Sequence, residues 1–241
     1  MTTRTDARKR KPYLGVQMEG PIARWYDRST RGRIPEFART AAAVAAWLPA
    51  GSQVLEVAPG PGFLAIELAK HRYVVTGIDI SESFVEIAGR NARDAGVTID
   101  FRRGDVARMP FADDSFDYVV CVAAFKNFAD PVAALDEVHR VLRPGGRASI
   151  QDLRKEATDR EIAAEVRAMK QGAVNSLITR WIFRTALLRA AYTAEAVGRL
   201  AARSHFGGGQ LTTSGVGFDL RLIKTLRAPA RHGSRESPRV G

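Results

Sequence analysis

The stretch that decides the fold is Glu56-Val57-Ala58-Pro59-Gly60-Pro61-Gly62-Phe63. It follows the apolar run Val54–Val57, which predicts a short buried strand, and it leads into Phe63–Lys70, which predicts a helix. Gly60 and Gly62 allow the backbone to approach a ligand closely, and the N-terminus of the following helix favours a negatively charged group. The stretch therefore predicts a strand, a ligand-binding turn and a helix in succession.

Strands alternate with helices on both sides of this turn. We predict further strands at 73–78, 97–101, 116–123 and 147–153, and helices at 18–27, 34–48, 81–95 and 131–142. This succession is typical of a parallel sheet with right-handed crossovers. Helices at 159–190 and 194–203 and a tight hairpin within 211–223 follow. The predicted fold class is α/β: a doubly wound, mostly parallel, Rossmann-like sheet with a C-terminal antiparallel hairpin and extra helices before strand one and after strand five.

Most of the charge lies at the two ends of the chain. The net charge of the 241 residues is +11 at pH 7, and residues 1–12 and 221–241 carry +9 of it. We therefore predict disordered basic tails at 1–12 and 229–241, and a single domain at 13–228 with its core at about 50–153. A nucleic-acid groove would need basic residues clustered on the folded body, so no nucleic-acid partner is expected.

Length and composition limit the number of domains, membrane insertion and disulfide formation. One α/β domain fits 241 residues, and two very small domains would fit as well. No apolar run approaches the length of a membrane span, so stable membrane insertion is not expected. The single cysteine, Cys121, excludes an intrachain disulfide and suits a cytoplasmic location.

A dinucleotide site is the strongest rival interpretation of the glycine-rich turn. Gly60–Ala65 matches the pattern G-x-G-x-x-A, and Asp79 ends the second predicted strand nineteen residues after Gly60. Glu56 argues against a nicotinamide cofactor, because a carboxylate at the end of strand one would repel a pyrophosphate at close range. The same carboxylate suits a ligand that carries a cationic ammonium group.

The turn and four later motifs resemble those of class I S-adenosylmethionine (SAM)-dependent methyltransferases. The nearest subgroup is the small-molecule methyltransferases that resemble the enzymes of ubiquinone and menaquinone biosynthesis. The four later motifs follow in the family's order at Ile78–Ser81, Arg103–Phe111, Asp113–Val120 and Glu137–Gly146. The resemblance implies the Rossmann-like fold of that family over about residues 50–153.

The resemblance also implies a cofactor and the residues that bind it. Asp79 corresponds to the acid that binds the ribose hydroxyls, and Asp105 to the acid that meets the adenine amino group. The implied cofactor-binding residues are Glu56, Ala58, Gly60, Gly62, Asp79, Ile80, Gly104, Asp105, Val106 and Ala123. SAM is the implied methyl donor and S-adenosylhomocysteine (SAH) the product, and no metal is implied.

The function implied by the resemblance is methyl transfer to a small-molecule acceptor of apolar or aromatic character. Two alternatives stay open: an RNA or protein methyltransferase that uses the basic tails as anchors, and a non-catalytic SAM-binding protein. Ala124-Phe125-Lys126 stands after strand four, where a catalytic motif such as Asn-Pro-Pro-Tyr would favour a nucleic-acid or protein substrate. The sequence leaves the oligomeric state open.

No residue is a convincing general base, and the catalytic candidates are weak. Lys126 either lines the substrate side or is a solvated loop residue. Tyr26 either walls an acceptor pocket, together with Trp25, Trp181 and Phe183, or belongs to the core.

The sequence also predicts the local structure at two residues, Ala58 and Asp79. Ala58 stands where the family has a glycine, and the turn is expected to survive with a negative φ at this position. Asp79 is expected to face a solvent-filled cleft with few packing partners. Its loss should then weaken cofactor binding and change the fold little.

Overall fold

The computed structural model describes residues 13–15, 18–168, 177, 179–181 and 183–226. The two predicted basic tails lie outside the described residues. Within the described part, no helix is both long and apolar enough to cross a bilayer.

The seven strands of the described residues form one sheet. They are β1 (Gln53–Val57), β2 (Val74–Asp79), β3 (Asp100–Arg103), β4 (Phe116–Val122), β5 (Leu142–Leu153), β6 (Gln210–Ser214) and β7 (Gly217–Ile223). Their order is β3-β2-β1-β4-β5-β7-β6. Strands β1 to β5 are parallel to their neighbours, whereas β7 pairs antiparallel with β5 and with β6. The predicted fold class, including the C-terminal hairpin, is confirmed.

Helices connect and flank these strands. They are α1 (Gly20–Thr30), α2 (Ile34–Ala45), α3 (Phe63–Lys70), α4 (Glu82–Asp94), α5 (Pro131–Val141), α6 (Asp159–Ala168) and α7 (Ala194–Arg203). Ser81 caps α4, because its Oγ accepts a hydrogen bond from Phe84 N at 3.0 Å. Of the segment predicted as helical at 159–190, α6 and the turns at 183–190 are helical, and the residues between them lie mostly outside the described part.

Two apolar layers bury the sheet. On one face α2 and α3 pack against the strands, and on the other face α5 and α7 do so. Side chains alternate between these layers along each strand. In β1, Val54 belongs to the α2–α3 layer, and Leu55 and Val57 belong to the other. Glu56 therefore shares a face with Val54, on the side of α3.

The structure corrects several predicted boundaries. α1 ends at Thr30 rather than at 27, and α2 ends at Ala45 rather than at 48. The third strand runs over Asp100–Arg103 rather than 97–101. The fifth begins at Leu142 rather than at 147, and α5 ends at Val141. β5 begins early because Leu142 pairs with Phe116 of β4, ahead of a register shift in that ladder, and because the next residues pair with the distant C-terminal segment. Gly145 N donates to Lys224 O at 2.8 Å, and Lys224 N donates to Gly146 O at 3.0 Å.

Candidate functional site

The carboxyl ends of the parallel strands surround a cavity of about 1750 Å³. This is the edge at which ligands bind in open α/β sheets. Nine of the ten predicted cofactor residues line the cavity: Glu56, Ala58, Gly60, Asp79, Ile80, Gly104, Asp105, Val106 and Ala123. Ligand cavities commonly measure roughly 300–1,000 Å³, so this one has room for two molecules side by side.

Glu56 is a buried carboxyl group with an unused oxygen. The residue is 3% exposed, and among the described residues its Oε2 atom has no hydrogen-bond partner. Burial raises the pKa of Glu56 to about 8, the nearby Asp79 adds to the rise, and the backbone N–H of Ala65 opposes it. A buried polar atom without a partner costs free energy. The position therefore fits a ligand that brings a charged donor to it, such as an ammonium group.

The turn after β1 adopts left-handed backbone conformations. Ala58 has φ +54°, so the expected negative φ is wrong. Ala58 N still donates to Ile78 O at 2.8 Å, so the ladder between β1 and β2 ends at this residue and the chain leaves the sheet in a left-handed conformation. Gly60 and Gly62 have φ values of +55° and +82°, a left-handed conformation that glycine adopts without strain.

Gly62 differs from the other predicted cofactor residues because it does not line the cavity. A Cβ atom at this position would lie 2.9 Å from Ala88 Cβ and 3.0 Å from Phe101 Cζ. Gly62 therefore serves the close packing of the turn against α4 and β3, and the glycine of this pair that lines the cavity is Gly60.

Asp79 holds the turn as well as facing the cavity. One of its oxygens, Oδ2, accepts a hydrogen bond from Gly60 N at 3.1 Å, and Oδ1 accepts one from Ser81 N at 2.9 Å. The residue is 6% exposed, and burial raises its pKa to about 6, against the effect of these N–H donors. The expectation of few packing partners is therefore wrong, because β1 and β2 converge at this carboxylate.

The third predicted motif continues the same edge. Gly104 N donates to Asp79 O at 2.8 Å, which places the residues after β3 beside the end of β2. Asp105 is half-buried, and its Oδ1 atom accepts a hydrogen bond from Ala107 N at 3.0 Å. Val106 is buried beneath them.

A buried polar network that the sequence did not reveal supports the turn from behind. Asn91 Nδ2 in α4 donates to Pro61 O at 2.9 Å and to Asp27 Oδ1 in α1 at 2.9 Å. Arg31 Nη2 completes the network by donating to Asn91 Oδ1 at 2.9 Å. No local pattern could have shown this, because Asp27 and Asn91 are 64 residues apart in the sequence.

Lys126 lies at the other side of the cavity in a buried ion pair. Its Nζ atom lies 2.9 Å from Asp152 Oδ1, and the two side chains are 9% and 0% exposed. The interpretation as a solvated loop lysine is therefore wrong. Sequence analysis missed Asp152, although a carboxylate at the carboxyl end of a parallel strand was a usable signal.

Two tyrosines, Tyr13 and Tyr26, also line the cavity. Tyr26 lies edge-on to Phe84, with ring centroids 5.7 Å apart. Tyr13 was not anticipated: it forms a β-bridge with Phe128, and burial raises its pKa to about 12.

The remaining aromatic candidates do not wall the pocket. Trp25 is 61% exposed and Trp181 is 66% exposed, and neither lines the cavity. The side chain of Phe183 lies outside the described part of the structure.

The described residues include few other groups that could act as a nucleophile, a general base or a metal ligand. Cys121 is fully buried in the core, and burial raises its pKa. His139 packs edge-on against Phe206, away from the cavity lining. Within the same residues, no cluster of three or more His, Cys, Asp or Glu side chains is arranged to hold a metal ion.

The fold and the strand-end cavity define the class of protein. The structure is similar to a SAM-dependent methyltransferase of Aquifex aeolicus (TM-score 0.65, 20% identity, covering 84% of this chain and 97% of that one). It is also similar to an S-adenosyl-L-methionine-dependent methyltransferase described for Methanococcus maripaludis (TM-score 0.68, 23% identity, covering 86% and 94%). At these identities the likeness establishes the Rossmann-like methyltransferase fold.

Sequence comparison then gives the family. Residues 55–150 match the family described as a methyltransferase domain. The demethylmenaquinone methyltransferase of Deinococcus radiodurans is 40% identical over 111 residues, or 45% of this chain and 46% of that protein. The phthiotriol/phenolphthiotriol dimycocerosates methyltransferase of Mycobacterium tuberculosis is 36% identical over 163 residues, covering 65% of this chain and 58% of that protein. The matches thus span about half the length of these relatives, and the predicted family resemblance is confirmed.

Proposed function

We propose that this protein is a SAM-dependent methyltransferase that acts on a small-molecule acceptor. The observation that carries the proposal is Glu56. It is a buried carboxyl group with an unpartnered Oε2, at the end of β1 and beside a glycine-rich turn. An α-ammonium group supplies the donor and the charge that this oxygen lacks.

The residues on this side of the cavity fit the rest of the cofactor. We assign Glu56 to the ammonium group, Asp79 and Ile80 to the ribose, and Gly104, Asp105 and Val106 to the adenine. Ala58, Gly60 and Ala123 supply the backbone surface between them. Gly62 supports the turn without touching the ligand.

The cofactor supplies an intrinsically activated methyl group, so the protein contributes alignment and exclusion of water. Holding two reactants in line lowers a barrier by roughly 7–11 kcal/mol in favourable cases. Burial of the strand-end groups and of Lys126 and Asp152 keeps the meeting point of the two ligands away from bulk water.

The acceptor is proposed to be apolar or aromatic. Tyr13, Tyr26 and Phe128 give the cavity aromatic walls, and Tyr26 lies next to Gly60 of the turn after β1. The relatives named above act on a demethylmenaquinone and on phthiotriol or phenolphthiotriol dimycocerosates, which supports a small-molecule acceptor over RNA or protein. We further propose a cytoplasmic location, which the single buried Cys121 supports, and no nucleic-acid partner.

The test is a direct measurement of which nucleotide ligand the protein binds. Native mass spectrometry should detect one SAM or SAH per chain, either carried through purification or added. NAD, offered at the same concentration, should leave the mass unchanged. Binding of NAD without binding of SAM or SAH would refute the proposal. SAM binding without any methyl transfer to a panel of aromatic acceptors would favour the non-catalytic alternative.

A further inference from the structure

Lys126 is the buried cation of the cavity. The other cationic side chains among the described lining residues are Arg33, Arg103 and Arg221. Each is paired with an acidic neighbour and is far more exposed than Lys126, with side-chain exposures of 46%, 62% and 62%. The Lys126 side chain is only 9% exposed. These three arginines belong to the rim, and Lys126 belongs to the interior.

The ammonium group of Lys126 lies next to the residues that we assign to the cofactor. Lys126 lies in the short 3₁₀ turn Phe125–Asn127 that follows β4. Its Nζ atom donates to Ala123 O at 2.9 Å. Because β4 pairs with β1 up to Val57↔Cys121, Ala123 lies at the strand edge next to the turn after β1. The ammonium group therefore lies where the cofactor region meets the region with aromatic walls.

The geometry leaves one N–H bond of this ammonium for a ligand. An ammonium group has three N–H donors, and within the described residues Ala123 O and Asp152 Oδ1 accept two of them. The backbone N–H of Lys126 also donates to Asp152, to Oδ2 at 2.9 Å. Asp152 has a fully buried side chain and supplies the counter-charge that a buried cation requires. Asp152 is thus a positioning residue that fixes Lys126 at two points.

We propose that Lys126 binds the oxygen of a phenol- or enol-type acceptor as an oxyanion. On ionisation the O–H bond breaks, the proton goes to solvent, and the electron pair stays on the oxygen beside the ammonium group. This inference rests on the proposed methyltransferase function and names the chemical class of its acceptor. The aromatic side chains Tyr13, Tyr26 and Phe128 line the same cavity and suit a planar ring.

The charges of the cavity favour such an acceptor over a permanent carboxylate. The titratable groups nearest to this region are Asp152, Glu56, Asp79, Tyr13, Tyr26 and Cys121. Glu165 on α6 and the Asp219–Arg221 pair on β7 lie further along the lining. Because the lining carries several carboxyl groups, an acceptor that enters as a neutral phenol avoids their repulsion. It acquires its charge only in contact with Lys126.

The experiment uses 4-nitrophenol, whose absorbance changes on ionisation, as the probe of the complex of full-length protein with SAH. SAH carries no sulfonium charge, and its ammonium group is the same in every complex, so a difference between wild type and the Lys126 variants comes from the lysine. Binding to the wild-type complex should raise the acid dissociation constant of the probe about tenfold or more. Lys126→Met should abolish this change, and so should Lys126→Gln, which keeps an N–H donor for Ala123 O.

The controls separate this role from a structural one and from the cofactor site. Lys155→Met makes the same charge change at an exposed residue outside the lining, and it should leave the probe's ionisation unchanged. SAH affinity should be equal in all variants. No saturable probe binding at millimolar concentration, an unshifted probe, or an equal shift in Lys126→Met would overturn the inference. Failure of the wild-type protein to bind SAH would instead refute the proposed function.

Discussion

The two sides of the cavity are built in different ways. On the cofactor side, consecutive strand ends and turns between Glu56 and Val106 are joined by backbone hydrogen bonds and by Asp79, which accepts from Gly60 N and Ser81 N. On the acceptor side, the groups come from distant segments and meet through side chains, as in the pair of Lys126 and Asp152. The first side is fixed by main-chain geometry, and the second by side-chain identity.

This difference predicts which substitutions each side of the cavity tolerates. Where backbone atoms form the site, a single added methyl group or a lost carboxylate should disturb both folding and binding. Where side chains form the site, a substitution should change what is bound and leave the sheet intact. Substitutions at four residues in or behind the cofactor side test the first half of this contrast.

Gly62→Ala should cause the largest loss of stability. The new Cβ would lie 2.9 Å from Ala88 Cβ, at a φ of +82°. Left-handed strain and overpacking together should lower the free energy of unfolding by roughly 2–5 kcal/mol in urea titrations. Gly51→Ala is the matched control, since Gly51 has φ +84° and nothing within 4 Å of the new Cβ. Equal losses in the two variants would show that packing against α4 contributes nothing.

Asp79→Ala should lower both stability and cofactor affinity. Removing the carboxylate leaves the N–H groups of Gly60 and Ser81 without their acceptor, which should cost roughly 1–3 kcal/mol of unfolding free energy. SAH affinity should fall about ten- to a hundredfold. Asp105→Ala, which loses one N–H partner at a half-buried site, should reduce stability less. A lowered melting temperature with unchanged SAH affinity would mean that Asp79 only supports the turn.

Asn91→Ala tests the link between the two sides. Its side chain joins Pro61 in the turn to Asp27 in α1, the helix that carries Tyr26. The unfolding free energy should fall by roughly 1–2 kcal/mol, and SAH affinity should fall several-fold. Arg31→Ala removes the exposed member of the same network and should have a smaller effect on both. If the two variants behave alike, Asn91 does not position the turn.

Ala58→Gly should have the smallest effect, and it should be stabilising. Glycine relieves the left-handed strain at φ +54°, which is worth roughly 1–2 kcal/mol, and the greater freedom of the unfolded chain offsets about half of it. The melting temperature should therefore rise slightly. Ala65→Gly makes the same change inside α3 and should lower it, because glycine is unfavourable in a helix. Destabilisation by both substitutions would contradict the assignment of strain to Ala58.

Much of the cofactor side could be predicted because its signals are local. The glycine-rich turn, the apolar strands and the acid at the end of β2 are each contained in a few consecutive residues. The hairpin of β6 and β7 was predictable for the same reason. The sign of φ at Ala58 was not, because residues other than glycine rarely adopt a positive φ and an alanine gives no local signal for it.

The acceptor side could be predicted only in part because its contacts are long-range. Lys126 was a candidate, but its partner Asp152 is 26 residues away. Tyr13 reaches the cavity through a bridge to Phe128, a pairing that no local pattern indicates. Trp25 looked like a pocket wall by residue type, and the orientation of α1 turns it to the surface.

The proposed function depends most on Glu56 as the counter-charge of a cofactor ammonium group. Calorimetric titration of SAH near pH 6.5, in buffers of different ionisation enthalpy, tests this role directly, because the α-ammonium group of SAH is charged at that pH. The pKa of Glu56 in the free protein is about 8, so its carboxyl group starts protonated. Ammonium binding should lower this pKa and release close to one proton per SAH bound. Glu56→Gln should release none and bind SAH about ten- to a hundredfold more weakly. Equal proton release by the two proteins, or equal affinity for SAH, would contradict this role of Glu56.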